Sequence, residues 1–587
     1  MDPLRLCLLL GIASPAIALV AVMLLYCVDV PFSDQWLMVE DLTKLAQGSW
    51  GLGDWIEPYN GHRLIVPRLI WLPLAFATDW DTRLELPVVL LCAFGIYAVL
   101  HLSVRDLATR LDLPALYWVL PVVSLVVFSL TQWENWLWGW SIQTLLCVFF
   151  ALAAIYALSR PDYGAVGLGA GLLFSVLAMG SFAAGLALWP LGALVLAQPW
   201  QAPHLARGRS LALALWCSAG AVVLWAYLHA WPGEAAIGVP VRAALARPLE
   251  LARFFLALLG APLASPGGLA PRPEVAFRPI AVGAAGMLVL AGATLSLVRR
   301  FGSQAFQPLL AWSLFSLGAV MQIALARVEL GVGWALHSRY MTLVTPFWAA
   351  TVIALGVLAF SGRSPRGGAR GAFVARGALA VCAVLVLVSS VKNIPAIAAR
   401  YDILSAARRE LPRAEIEVLL ARIGPADYVR SQLGPLARLG FSVFRENVHE
   451  PFPVPPAPLP RFDQVLALRT PLRELSCRAR VRVPMSVHNP TEHAWPTSGA
   501  ITGSSFVTLS YHWQNEHGRQ VVFDGERTAL PRDVYPGDTL DVDMKLKAPR
   551  RNGDYVLRVT LVQEGVAWFE ERGGTPLDVR VAVRDCD

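Results

Sequence analysis

Asp34 stands in Pro31-Phe32-Ser33-Asp34-Gln35-Trp36, and Asn60-Gly61-His62-Arg63 follows, so a carboxylate, an imidazole and a guanidinium share the loop after the first long apolar segment. Beside lipid an unpaired charge is expensive, and ionisable groups kept there are first candidates for function. The Asp34 carboxylate suits a general base that takes a proton from a hydroxyl. Gln35, Asn60, His62 and Arg63 suit the holding of an anionic group, the arginine through a fork that matches phosphate geometry. A helix-end cap, or a partner for Arg63, is the competing reading of Asp34. Two further groups join them. Gln132, Trp133, Glu134 and Asn135 lie in the tryptophan-rich stretch Thr131 to Trp140, and His337, Arg339 and Tyr340 precede another apolar run. Glu134 is read as a second catalytic acid that orients an acceptor. Arg339, with Tyr340 beside it and His337 close by, would grip a phosphate or, alternatively, snorkel at the interface. For the tryptophans an aromatic belt at headgroup level is an equal alternative.

The elements that must position these residues are membrane helices. The 587 residues are 56% hydrophobic and 16% charged, mean hydropathy is +0.52, and the apolar residues fall in long runs. Eleven runs are long enough to cross a bilayer, near 4–28, 87–104, 114–130, 137–158, 164–180, 182–198, 210–230, 279–298, 307–327, 341–360 and 376–393. Two shorter ones, 64–77 and 249–263, are broken by Pro67, Arg68 and Pro73 or by Gly260 and Pro262, and are assigned to interfacial or re-entrant positions. The first run lacks a small-x-small cleavage site and is read as a retained helix. Gly164 to Gly171 is read as close helix packing. The net charge of +7 comes from arginines scattered through short loops, which is a topology signal rather than a nucleic-acid patch. Loop 30–85, with eight acids and four bases, is placed outside. The N-terminus is then cytoplasmic and the C-terminal region external, which in a bacterium means an inner-membrane protein with a periplasmic C-terminal domain.

After the helical domain (1–395), residues 396–450 read as an amphipathic helical connector on the outer membrane face, and 451–465 as a stiff proline-rich linker. Residues 466–587 alternate in the manner of short strands, which predicts an all-β sandwich. Tyr555 resembles the corner tyrosine of immunoglobulin-like sandwiches. Cys477 and Cys586 bracket this domain near its first and last strands, where an oxidising periplasm would let them bond; two free thiols is the alternative. No cysteine pair has metal-ligand spacing, and no P-loop, G-x-S-x-G or H-E-x-x-H motif occurs.

At Ser33-Asp34-Gln35-Trp36, Asn60-Gly61-His62-Arg63, Gln132-Trp133-Glu134-Asn135 with Leu137-Trp138-Gly139, and Ser338-Arg339-Tyr340, residues 1 to 395 resemble bacterial multi-pass glycosyltransferases of the GT-C class. The resemblance implies a catalytic acid in the first external loop and a polyprenyl-phosphate sugar donor. It also implies a glycan, lipid or protein acceptor and inverting stereochemistry. Asp34 is followed by Gln35 rather than a second acid, a departure from a paired-carboxylate metal loop. A divalent cation between Asp34 and Glu134 stays open, because they lie on different loops and no spacing rule decides it. The C-terminal stretches around Tyr511-His512-Trp513, Arg527 and Trp568 look like a β-domain that accompanies bacterial sugar-transfer proteins, read as a binding or docking module. A transporter or non-catalytic scaffold for cell-surface glycan export is the reading from another class. It would place its charges near the bilayer midplane rather than at one rim.

Overall fold

The computed structural model describes residues 2–59, 61–160, 164–197, 206–229, 241–269, 273–361, 368–411, 422–445, 458–496, 506–530, 534 and 536–586. Asn60, most of the proline-rich linker and the middle of the helical connector lie outside these. The described chain forms two compact units. The first comprises Met1–Asp29 and Gly51–Ser405, and the second Val30–Trp50 and Ala406–Asp587. The expected boundary near 395 therefore shifts by about one helical segment, and the Asp34 loop groups with the C-terminal part of the chain.

Among the described residues of the first unit, nine helices are long and apolar enough to cross a membrane. The expected runs at 164–180 and 182–198 form shorter helices, Gly164–Met179 and Ala183–Ala197. The chain turns between them at Gly180 and Ser181, whose amides still donate to Val176 and Ala178. Hydropathy counts apolar residues and does not see where a helix ends. Residues 64–77 form a helix, Ile65–Thr78, that carries Pro73 inside it. Five helices matter below: α1 (Leu86–Arg110), α2 (Ile142–Leu158), α3 (Gln307–Arg327), α4 (Met341–Phe360) and α5 (Ile394–Glu410).

Small residues let helices approach at backbone distance, the usual route to tight association where lipid removes the hydrophobic drive. A Cβ on Gly260 would lie 1.9 Å from the Pro279 carbonyl oxygen, and one on Gly283 would lie 2.1 Å from that of Leu256. These two glycines thus clamp helix Pro248–Ala264 to helix Phe277–Phe301. In the Gly164–Gly171 run, Gly171 makes the close approach, to Leu158.

In the second unit, helix Met38–Ala46 packs with helix Ala426–Leu439, where the Tyr428 hydroxyl donates to Glu40 at 2.7 Å. The strands are β1 (Val465–Leu468), β2 (Glu474–Ser476), β3 (Arg480–His488), β4 (Val507–Asn515), β5 (Gln520–Val522), β6 (Thr528–Ala529), β7 (Thr539–Lys547), β8 (Gly553–Gln563), β9 (Ala567–Trp568) and β10 (Leu577–Arg584). One sheet runs β2-β10-β8-β4-β5, with β9 on β8 and β6 on β4; the other runs β1-β3-β7. Both sheets contribute to a single buried core that includes Met485, Trp495, Trp513, Met544, Leu557 and Phe569. Strand β7 shows why: Leu540, Val542, Met544 and Leu546 point in, while Thr539, Asp541, Asp543 and Lys545 alternate outward. The Tyr555 hydroxyl donates to the Arg551 carbonyl at 2.9 Å, bracing the entry to β8. Cys477, just after β2, is disulfide-bonded to Cys586, with Cα atoms 5.0 Å apart. Parallel pairing of β2 with β10 brings the two ends together.

Candidate functional site

Within the first unit, the stretch Leu130–Ser141 folds as short helical turns rather than one helix, with Glu134 on the turn Trp133–Trp136. Its polar side chains stitch it to the start of α4. The Asn135 amide donates to the Thr342 hydroxyl at 2.6 Å and to the Arg339 carbonyl at 3.1 Å, and its oxygen accepts from Ser141 at 3.0 Å. Thr342 in turn donates to Gln132 at 2.7 Å, and the Gln132 amide donates to the carbonyls of Val126 and Val127. Gln132 and Asn135 are therefore consumed by the fold. They position Glu134 and leave little for a ligand.

Glu134 is held from one side. Its Oε2 accepts from the Ser338 hydroxyl and from the Arg339 amide, each at 3.0 Å, while its own amide donates to the same Ser338 hydroxyl at 3.0 Å. Its other carboxylate oxygen has no hydrogen-bond partner among the described residues. The buried guanidinium of Arg400, on α5, lies within Coulombic reach of it and donates to the Leu137 carbonyl at 3.0 Å. Glu134, Trp133, His337 and Ser338 line a small recess together with the loop Ser265–Leu269 and Asn393. Asn393 donates to Ser265 at 3.0 Å. Gly267 sits at φ +76°, and a Cβ there would lie 2.3 Å from the Lys392 carbonyl oxygen, so this wall requires glycine.

Arg339 places its guanidinium over the rings of Trp334 and Tyr340, 5.6 Å from each centroid. The His337 ring lies 4.8 Å from that of Trp334, tilted against it by 44°. Burial pushes the His337 imidazole below the usual histidine range, with the Glu134 carboxylate opposing and Arg339 reinforcing the shift. The cluster thus brings together a carboxyl group, an imidazole whose burial favours the neutral form, and a guanidinium.

The other expected ligands have different employment. Arg63 is buried and donates to the carbonyls of Tyr227 at 2.7 Å, His229 at 2.8 Å and Ile56. Its fork is filled by backbone, which makes it a clamp between chain segments rather than a phosphate grip. His62 accepts from the Ala183 amide at 3.3 Å through Nδ1 and stacks on Phe182 at 4.0 Å. Burial, with Arg327 adding to it, lowers its pKa to about 3. His62 is therefore neutral and supplies no charge to an anion. Because the unfolded chain binds a proton below about 6.5 that the folded site refuses until about 3, stability is intact above that window and falls as pH descends through it. His62→Asn keeps an acceptor for Ala183 and removes the titration. The loss in thermal stability between about pH 7 and about pH 5 should accordingly shrink in this variant.

Asp34 and Gln35 belong to the second unit. Asp34 lies half-buried in the first turn of a short helix, Ser33–Leu37, and Gln35 caps that turn by accepting from the Phe32 amide at 3.3 Å. Gln35 thus shapes the loop. Ser33 enters it at φ +51°, a left-handed conformation for a non-glycine residue. Trp36 is fully buried, and a Cβ on Gly424 would lie 3.3 Å from its ring.

The tryptophans are not a lipid-facing belt. Trp133, Trp136, Trp138 and Trp140 are all buried. Trp136 donates to the Ser129 carbonyl at 2.7 Å, and Trp140 stacks on Trp71 at 4.6 Å. Trp71 in turn donates to the Gly139 carbonyl at 3.2 Å. A Cβ on Gly139 would fall 1.6 Å from the buried Glu85 carboxylate, which accepts from Trp80 at 2.9 Å. Gly139→Ala should therefore displace Glu85 and lower the melting temperature of the purified protein, with an overpacking cost of about 1–3 kcal/mol.

Sequence reasoning missed Thr342, Ser265, Asn393 and Arg400 as parts of the Glu134 surroundings, and it held Ser338 only as a member of the Ser338-Arg339-Tyr340 motif. Ser338 is 204 residues from Glu134, and no local signal links them. Among the described residues no group of three or more His, Cys, Asp and Glu could hold a metal ion. In the second unit, the outer face of β4 is covered: Thr508 donates to Glu564 at 2.7 Å, Ser510 to the Gly525 carbonyl at 3.2 Å and His512 to the Phe523 carbonyl. Arg527 lies over Trp568 at 4.8 Å. Comparison with known protein families, curated proteins and solved structures finds no match to this chain.

Proposed function

We propose that this chain is a membrane glycosyltransferase of the GT-C class that transfers a sugar from a polyprenyl-phosphate donor to a cell-envelope glycan, lipid or protein acceptor. The reaction would take place at the outer face of a bacterial inner membrane, with the C-terminal immunoglobulin-like domain in the periplasm. The observation that carries the reading is Glu134. A buried carboxylate at the end of an apolar segment is costly, yet this one is fixed through one oxygen by Ser338 and the Arg339 amide while the other is left for a ligand in the adjoining recess. In this reading that oxygen accepts from a sugar or acceptor hydroxyl, and the Arg339 guanidinium, held between two rings, steadies the departing phosphate. Asp34 is the base that takes the acceptor's proton. The Cys477–Cys586 disulfide fits an oxidising compartment, and the Tyr555 bond to Arg551 fits a corner tyrosine.

The test is removal of the chain from its cells. A sugar should disappear from an envelope glycan while its polyprenyl-phosphate donor accumulates. Export of a complete glycan failing, with no donor build-up, would instead favour the transporter or scaffold reading.

A further inference from the structure

Away from Glu134, the C-terminal ends of α1 and α2 and the first turn of α3 line a second polar recess that opens to the surface. Its polar lining is Ser103, Asp106, Arg110, Tyr156, Ser159 and Arg160. Ser103 and Ser159 are 4% and 2% exposed, and neither hydroxyl has a hydrogen-bond partner among the described residues. A helical serine ordinarily returns its proton to a carbonyl one turn back. Leaving two buried hydroxyls unpaired beside one cavity is costly unless something enters it.

The charges say what kind of thing enters. Asp106 accepts from the Tyr156 hydroxyl at 2.6 Å and from Arg160, and Arg105 lies 3.8 Å from its other oxygen. Arg110 is exposed at the rim and has no hydrogen-bond or ion-pair partner among the described residues. Asp106 thus meets Arg160 and Arg105, while Arg110 stands at the rim of the same recess as the two unpaired buried hydroxyls. The complement is a compact anion with several acceptor oxygens. We propose that this recess binds a phosphate group, carried by a lipid headgroup or by a soluble phosphate ester, with Arg110 as its counter-ion and Ser103 and Ser159 as donors. The claim is independent of the sugar-transfer reading.

The full-length protein, purified in a phosphate-free buffer, tests this by native mass spectrometry and thermal shift. The probes are lysophosphatidylglycerol, a monoacylglycerol lacking phosphate, glycerol 3-phosphate and inorganic phosphate. The wild type should retain lysophosphatidylglycerol and be stabilised by it, and should ignore the monoacylglycerol. Arg110→Ala, at an exposed position, should weaken retention about tenfold. The Ser103→Ala, Ser159→Ala double variant should also bind more weakly, yet melt higher than the wild type when no probe is present, because the unpaired hydroxyls are gone. That rise also shows that the double variant is folded. Stabilisation by glycerol 3-phosphate or inorganic phosphate assigns a soluble source, and stabilisation by the lipid alone assigns a headgroup. A wild type that ignores every phosphate probe, or variants that bind them as the wild type does, overturns the proposal.

Discussion

Glu134→Gln is expected to lower sugar transfer per folded molecule by about a hundredfold or more. Glutamine keeps an oxygen that can accept from Ser338 and the Arg339 amide, so the two hydrogen bonds at 3.0 Å survive. What disappears is the negative charge facing the recess and the buried guanidinium of Arg400. A drop in stability is expected alongside, because the buried Arg400 guanidinium loses a nearby negative charge. Activity is therefore normalised to folded protein, measured by melting and by membrane level. Ser338→Ala provides the contrast: it keeps the charge, removes one donor and should cost far less activity. Equal losses in the two variants would show that Glu134 matters for packing alone.

The second large effect is expected at Asp34. Removing a general base ordinarily costs about a hundred- to ten-thousandfold, and Asp34→Asn keeps the size and hydrogen-bonding outline of the side chain. The loop around it is fixed by other residues: the Gln35 cap on Phe32, the left-handed Ser33 and the buried Trp36. The substitution should therefore leave the loop in place while removing the basicity, and the membrane level and melting of the variant check that the loop holds.

How much of this was legible from the residue string differs from element to element. Long apolar runs marked the helices because bilayer thickness sets a length that hydropathy can count. The two runs expected at 164–180 and 182–198 form the shorter helices Gly164–Met179 and Ala183–Ala197, parted by the turn at Gly180 and Ser181. In the β-domain the alternation of Leu540, Val542, Met544 and Leu546 announced β7. Strand β1, the split between β2 and β3, and the short β6 and β9 were not seen, since strands of two to four residues carry almost no periodicity.

The site was legible as a set of residues, not as a set of roles. Glu134 stood out because a carboxylate among tryptophans demands an explanation, and Ser338-Arg339-Tyr340 was visible as a motif. That the two meet follows only from packing across 204 residues of sequence. Arg63 shows the opposite failure. Its guanidinium looked suited to phosphate, but the carbonyls of Tyr227 and His229, more than 160 residues on, already occupy it. His62 looked like a cation and is held neutral by burial. In each case the sequence supplied the functional group, and the partner that decides its use came from a distant segment.

The most direct measurement is a glycan and lipid-linked sugar analysis of cells in which Asp34→Asn replaces the wild-type chain, with membrane levels of the protein followed in parallel. A variant present at the normal level, with one sugar missing from a glycan and its polyprenyl-phosphate donor accumulating, is the result expected of a transferase with Asp34 as its base. Unchanged glycans at normal protein level would contradict the catalytic assignment and put a transporter or binding scaffold in its place.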